Sequence, residues 1–357
     1  MSLVELSGSA FQRGLAQGDA APRAAVEVRG MVRQRLADEA QLLSGARARD
    51  FLEAQWAFTA RHANDHLQEV IGIAQGFGLP ARDLFAYLHL GFMAPLRQAL
   101  DGCSTVALAA SADGPMIAKN RDYRGEHQAL QRVFLQRDPE KPNVSCIFVG
   151  SLGAPGAYSS GMNSHGLALA DTRVDWPEPG VGWLRYFLMS EILWRAEDVP
   201  QALALIGEAA HVGGGSLALA DAAGRVASVE FGSEGAVART GAAQYVHTNH
   251  FLAPELAGVV ERLAPDNTSQ SSIARLQSLS AAEVGFGPDT TAEDLCALLA
   301  SHGEGEGRLC RHPSAGLDST ISGAVFLCRS RTLLFAAGTP CDAGWQRFCL
   351  QGAGGGT

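Results

Sequence analysis

The chain changes character near residue 100, and that change limits the folds open to it. Residues 22–98 read as helices. Phe51, Trp56, Phe58, Val70, Ile71 and Ile73 fall on a rough helical period that stops at Gly76 and Gly78. Pro80 opens another helix, with apolar residues continuing to Leu100. After Asp101-Gly102 the pattern turns to short strands. Cys103–Ala110 and Met116–Tyr123 flank Asp113-Gly114-Pro115 and read as a β-hairpin. Further strands are expected over 133–136, 144–149, 166–170, 216–220, 226–231 and 244–248, with helices over 182–196 and 199–209. A broken helical block over 254–300 follows, and strands over 321–328 and 332–336 close the chain. The Gly-rich tail Gly352–Thr357 reads as disordered. There is no internal repeat and no regular βαβα alternation. The expectation is a layered α+β fold with mostly antiparallel sheets.

Bulk properties exclude several functions. The 357 residues carry a formal net charge of -9 and no basic run, which argues against a nucleic-acid partner. Met1-Ser-Leu-Val-Glu-Leu lacks the basic and apolar regions of a signal peptide, and no window holds 18 consecutive apolar residues. No membrane association is expected. Seven cysteines, an odd number without CxxC spacing, suit a reducing cytoplasm better than a disulfide framework. Cys310 and His312 stand close together in Leu-Cys-Arg-His-Pro, but two ligands do not make a zinc site. Neither a metal nor another cofactor is expected.

The chemistry is sought first at Asp101-Gly102-Cys103-Ser104-Thr105. Cutting the Gly102–Cys103 bond would give one residue both a thiol nucleophile and an α-amine base. That amine has a reference pKa near 7.7–8.0, so part of it is neutral at working pH. Gly102 tolerates strained backbone angles, and strain at the scissile bond would help the thiol attack. The bland alternative is a buried, inert cysteine. Lys119-Asn120-Arg121-Asp122-Tyr123 ends the next strand, which can pair back beside Cys103. There Asp122 could orient the amine and a cation could favour the thiolate. Asn249 follows a strand and could aim its amide at an oxyanion. His165, His247 and His250 are alternative bases for an intact-chain Cys–His hydrolase. Arg311 could bind a substrate carboxylate.

Taken in order, several motifs resemble one family. They are Asp-Gly-Cys-Ser-Thr, Lys-Asn-Arg-Asp-Tyr, Gly161-Met-Asn-Ser-His-Gly-Leu, Val229-Glu-Phe, Thr248-Asn-His-Phe, Cys310-Arg-His-Pro and Gly338-Thr-Pro-Cys. The set resembles the acyl-coenzyme A:6-aminopenicillanic acid acyltransferase family of N-terminal-nucleophile hydrolases, with conjugated bile-acid hydrolases as more distant relatives. The resemblance implies a four-layer αββα sandwich. It implies self-cleavage into an α chain (1–102) and a β chain (103–357) that stay together as a heterodimer and form one domain. It implies Cys103 as nucleophile, Asp122 as the second-strand aspartate, Asn249 as the oxyanion donor and Lys119 as the neighbouring cation. Arg121, Tyr123 and Arg311 are the expected substrate contacts, Arg311 as an approximate match. The implied substrate is a small N-acyl compound, with acyl-CoA as a possible donor or an amine as acceptor. Two departures stand out. Ala170-Asp171-Thr172-Arg173 replaces a stretch in which relatives often show an Asn, and Arg121 stands where they often show Trp. A non-catalytic, uncut binder of acylated small molecules is the remaining alternative.

Overall fold

The computed structural model describes residues 3–93, 102–260, 270–303, 305–312 and 319–350. The end of the apolar run to Leu100 and the tail Gly352–Thr357 lie outside the described residues. Strand β1 (Leu3–Ser7) comes first. It is followed by helices α1 (Ala10–Ala20), α2 (Ala25–Asp38), α3 (Ala40–Ser44), α4 (Ala46–His62), α5 (Asn64–Phe77) and α6 (Ala81–Met93). Next come β2 (Gly102–Leu108), β3 (Met116–Tyr123), β4 (Gln131–Arg137), β5 (Ser145–Ser151), β6 (Ser160–Asn163) and β7 (Ala168–Thr172). Helices α7 (Arg185–Arg195) and α8 (Val199–Glu208) lead to β8 (Gly215–Ala220), β9 (Val226–Gly232), β10 (Gly235–Thr240) and β11 (Gln244–His247). Helices α9 (Ala257–Val260), α10 (Gln270–Glu283) and α11 (Ala292–Leu299) precede β12 (Ser319–Leu327), β13 (Thr332–Ala337) and β14 (Trp345–Cys349).

The strands form two sheets, ordered β1-β4-β5-β6-β7-β8-β9-β10 and β11-β2-β3-β12-β13-β14. Pairing is antiparallel except for β1 with β4. Three apolar layers show how the sheets stack. Ala107, Ile117, Phe326 and Phe335 of the six-stranded sheet meet Val133, Ile147, Met162 and Ala170 of the eight-stranded sheet. The other face of the eight-stranded sheet sets Phe148, Leu169 and Leu217 against Ile73 and Phe77 of α5 and Leu188 of α7. The other face of the six-stranded sheet sets Val106, Ala118 and Val325 against Leu279 of α10 and Leu295 and Leu299 of α11. The architecture is therefore an α+β sandwich of four layers, αββα. Strand β1 belongs to the eight-stranded sheet and α5 to its core.

Four strands were not expected from the sequence. Strand β1 pairs Leu3 with Val133, a partner far along the chain. Strand β6 has only four residues, and β10 is exposed for most of its length, so neither shows alternation. Strand β14 adds a third strand after β12 and β13, where two were expected to close the chain. The hairpin between β2 and β3 follows the reading, with Gly114 at φ 87° in the turn. Gly78 caps α5 at φ 68°.

Helices α1 and α5 approach until only glycine fits between them. A Cβ on Gly72 would lie 2.2 Å from the Phe11 carbonyl oxygen, and one on Gly14 would lie 2.2 Å from that of Glu69. Both obstacles are backbone, which cannot turn aside. Gly72→Ala should therefore destabilise the protein by about 1–3 kcal/mol, read in urea unfolding. Gly30→Ala, which meets nothing within 4 Å in α2, should leave stability unchanged or raise it by up to about 1 kcal/mol.

Candidate active site

Strands β2 and β3 pair Gly102 with Asp122, Cys103 with Arg121 and Thr105 with Lys119. Alternation then sorts these residues onto two faces. Ala107 and Ile117 face the eight-stranded sheet, so Cys103, Lys119, Arg121 and Tyr123 share that face. Val106 and Ala118 face α10 and α11, so Gly102, Ser104, Asn120 and Asp122 share the other. Sequence reading brought the cluster beside Cys103 but did not separate its faces.

The two cations that β3 turns to the inner face have different partners. Lys119 Nζ donates to Asp171 Oδ1 of β7 and to the Ser159 carbonyl at 3.0 Å. Arg185, at the start of α7, donates to Asp171 Oδ2 at 2.7 Å. Burial pushes the Asp171 carboxyl up, but Lys119 and Arg185 outweigh it and hold the group below the usual carboxylate range. The Arg121 guanidinium sits 4.9 Å from the Tyr123 ring centre and 5.0 Å from that of Tyr158. It also donates to Gln131 at 3.2 Å and Ser151 at 3.3 Å. Arg185 lies within electrostatic reach of Cys103.

The backbone of Cys103 is held from the side. Its N–H donates to Asn249 Oδ1 at 2.8 Å. Arg275 of α10 donates to the Cys103 carbonyl, to Ser104 Oγ at 3.1 Å and to Asn249 Oδ1 at 2.9 Å. Two donors on Oδ1 fix the orientation of the amide. Asn249 Nδ2 accordingly donates to the Arg173 carbonyl at 2.9 Å. The acceptor for the Cys103 nitrogen is thus Asn249, where the sequence suggested Asp122.

Asp122 serves the Gly102 side. Thr320 donates to its Oδ1 at 2.6 Å, and Arg311 Nη1 lies 3.8 Å from its Oδ2. Among the described residues Oδ2 has no hydrogen-bond partner. Burial pushes this carboxyl up, offset in part by Arg275, Arg311 and the Thr320 hydroxyl. A Cβ on Gly102 would stand 2.6 Å from Oδ2. Gly102 is not among the glycines at positive φ, so it supplies room for Asp122 and not the strained backbone expected from the sequence. Arg311, expected to meet a substrate carboxylate, stands beside this carboxylate of the protein itself.

His247 and His250 have other partners, and His165 lies away from the thiol. His247 binds Glu230 Oε1 at 2.7 Å through Nε2, and Thr172 Oγ1 at 2.8 Å through Nδ1. His250 Nδ1 lies 2.8 Å from Ser272 Oγ, and burial lowers its pKa to about 4. Gly166 packs on the Cys328 carbonyl, and Cys328 N–H bonds Pro115, next to the start of β3. His165 therefore lies at the far end of β3, on the order of 16 Å from Cys103. Arg275, Arg185 and Asp171 are the site residues that sequence reading missed or passed over. Asp171 had been noticed only as a departure from relatives, and the two arginines carry no local motif.

A sequence model of the family described as acyl-coenzyme A:6-aminopenicillanic acid acyl-transferase matches residues 109–342. No curated protein matches the chain. Among solved structures it is similar to a variant of conjugated bile acid hydrolase from Clostridium perfringens, at 10% identity and TM-score 0.44, over 70% of this chain and 97% of that one. The Caenorhabditis elegans orthologue of N-acylethanolamine-hydrolyzing acid amidase matches at 11% identity and TM-score 0.44, over 64% and 93%. Penicillin V acylase from Agrobacterium tumefaciens matches at 14% identity and TM-score 0.40, over 70% and 86%.

Two predictions arise from these charges. Asp171→Asn strands two buried cations and should cost about 3–5 kcal/mol in urea unfolding. Lys119→Met should cost less, because Arg185 still neutralises Asp171. The second concerns acid. His89, His211 and His250 are each lowered to about 4 by burial, against about 6.5 unfolded. The unfolded chain binds more protons between those values, so their contribution is full above pH 6.5 and lost as pH falls towards 4. Unfolding free energy should drop across that window, and His250→Asn should make the drop shallower.

Proposed function

The chain belongs to the acyl-coenzyme A:6-aminopenicillanic acid acyl-transferase family, and from that membership we propose a self-cleaving cysteine amidohydrolase or acyltransferase acting on a small N-acyl compound. The family match begins at residue 109, so the assignment of Cys103 as nucleophile rests on local geometry. The observation that carries it is the 2.8 Å bond from the Cys103 nitrogen to Asn249. The atom that would become the α-amine already has a side-chain acceptor, which Arg275 holds in place, and a glycine precedes it.

Cleavage begins when Cys103 Sγ attacks the Gly102 carbonyl carbon. The C–N bond breaks, the thiol proton passes to the Cys103 nitrogen, and Gly102 is left as a thioester. Water hydrolyses that thioester to a Gly102 carboxylate and a free Cys103 thiol and amine. The Asp122 Oδ2, close against Gly102, is the carboxylate best set to exchange a proton in this step.

In turnover the amine takes the thiol proton, Sγ attacks the substrate carbonyl, and the proton goes to the leaving group. The acyl-Cys103 thioester then passes its acyl group to water or to an amine. An acyl-CoA donor fits the same scheme with a thiol as leaving group. Arg185 and Arg275 both lie within electrostatic reach of Cys103, which favours negative charge on the sulfur. Asn249 holds the amine. A role as oxyanion donor requires its Nδ2 to exchange the Arg173 carbonyl for the substrate oxygen. Arg121 and Tyr123 share the thiol's face and are the proposed substrate contacts. Lys119 acts through Asp171, and Arg311 positions Asp122.

Intact mass under denaturing conditions tests the proposal. The 37.5 kDa chain should appear as pieces of about 11 and about 27 kDa, sharing the mass in proportion to length, the larger beginning Cys-Ser-Thr-Val. Cys103→Ala should stay whole and inactive. Gly102→Val should cut at least about tenfold more slowly, since its side chain meets Asp122, a barrier increase of about 1.4 kcal/mol. Full turnover on an N-acyl substrate by Cys103→Ala would sink the proposal.

A further inference from the structure

The sequence set aside Cys310 and His312 as two ligands too few for a metal. The fold adds two more. His302 follows α11, and Cys341 lies between β13 and β14, after Gly338 at φ 115°. His302 Nε2 and His312 Nε2 are 2.9 Å apart, Cys341 Sγ and His312 Nε2 are 3.2 Å apart, and the two sulfurs are 3.5 Å apart. All four donor atoms lie within 4.8 Å of one another.

We propose that His302, Cys310, His312 and Cys341 form a tetrahedral zinc site. Zinc bonds of about 2.05 Å to nitrogen and about 2.3 Å to sulfur require edges of about 3.3 Å between nitrogens and about 3.8 Å between sulfurs. The three shorter separations fall a few tenths of an ångström inside those edges and the other three reach at most 4.8 Å, so the donors would close round an ion by shifts of about an ångström or less. Two imidazoles and two thiols, with no carboxylate among the four, suit zinc and not magnesium or calcium. The outer shell agrees. His312 Nδ1 lies 3.6 Å from Asp342 Oδ2, the side on which a ligating imidazole turns its second nitrogen to a carboxylate. Binding exchanges two thiol protons for one Zn²⁺, which leaves two Zn–S bonds and releases two protons to solvent.

The site would be structural, because four protein ligands leave no open position. Its effect reaches the Gly102 side of the candidate active site through Arg311, which stands between two of the ligands. Arg311 N–H donates to Thr320 Oγ1 at 2.8 Å, Thr320 N–H donates to the Arg311 carbonyl at 2.9 Å, and Thr320 Oγ1 donates to Asp122. Zinc would pin the 310–312 segment, the end of α11 and the β13–β14 connection against the start of β12.

Metal content measures this directly, whatever the catalytic activity proves to be. Full-length protein, reduced, incubated with zinc sulfate and dialysed, should retain about one zinc per chain by mass spectrometry of the metal. Cobalt in its place should show the intense visible bands of tetrahedral thiolate coordination. Cys341→Ser and His302→Ala should each lose most of the zinc, Cys341→His should keep it, and Cys349→Ser should behave as the parent. Stripping zinc with a chelator should lower the melting temperature. Retention of less than a tenth of an equivalent by the parent, or undiminished zinc in both Cys341→Ser and His302→Ala, would overturn the site. So would a Cys310–Cys341 disulfide that persists in reducing buffer.

Discussion

The Asp171 carboxylate is the hinge of the charge arrangement. It belongs to β7 of the eight-stranded sheet, yet it receives Lys119 from β3 of the six-stranded sheet and Arg185 from α7. Its surroundings are buried, with Ala170 beside it packed between the sheets and Leu169 and Leu217 packed against the helices. Charges in such a place are tolerated only when each has a partner and its remaining hydrogen-bonding capacity is met. Here Lys119 also reaches the Ser159 carbonyl and Arg185 the Gly214 carbonyl. The triad therefore fixes how the two sheets face one another. One carboxylate against two cations also leaves the local balance positive, on the face that carries Cys103. Sheet registry and the field at the thiol depend on the same three side chains.

The opposite face of the same strand pair has a different job. Asp122 and Gly102 sit there, against α10 and the start of β12. A register shift between Thr320 and Ser322 lets Thr320 turn to Asp122 while Ser322 turns inward to Gln131. Arg275 joins the faces, since its guanidinium reaches the Cys103 carbonyl, Ser104 and Asn249 together. Strand alternation thus sets the Cys103 thiol and the Asp122 carboxylate on opposite sides of the sheet, with the Gly102–Cys103 peptide between them.

What the sequence disclosed follows from range. The β2–β3 hairpin was legible because Asp113-Gly114-Pro115 is a local turn signal with its own mechanism. Gly102-Cys103 and the polar cluster at 119–123 were legible because one short hairpin brings them together. Asn249 was legible as a residue following a strand, but its acceptor role was not, because that depends on Arg275 and Arg173. Arg275 looks like any helical arginine until α10 is packed on β2. Strand β1 and the Asp171 triad rest on partners far along the chain, and the cluster of His302, Cys310, His312 and Cys341 joins three segments, of which only Cys310 and His312 are neighbours in sequence. Face assignment failed for the same reason. Alternation says which residues go together, but only packing says which face meets which layer.

Gly102 shows how the physical reason for a residue can differ from the first one offered. Glycine before Cys103 suggested a strained backbone, yet the position lies within strand β2 and is not at positive φ. What glycine provides is the space that lets Asp122 Oδ2 close on the backbone, 2.6 Å from where a side chain would begin. A strained bond would store its energy until cut and lose it afterwards. A close carboxylate and a nitrogen already held by Asn249 would outlast the proposed cut and would leave the new amine beside its own thiol. On the proposed mechanism the same thiol and the same nitrogen would serve both the cleavage and the turnover of substrate.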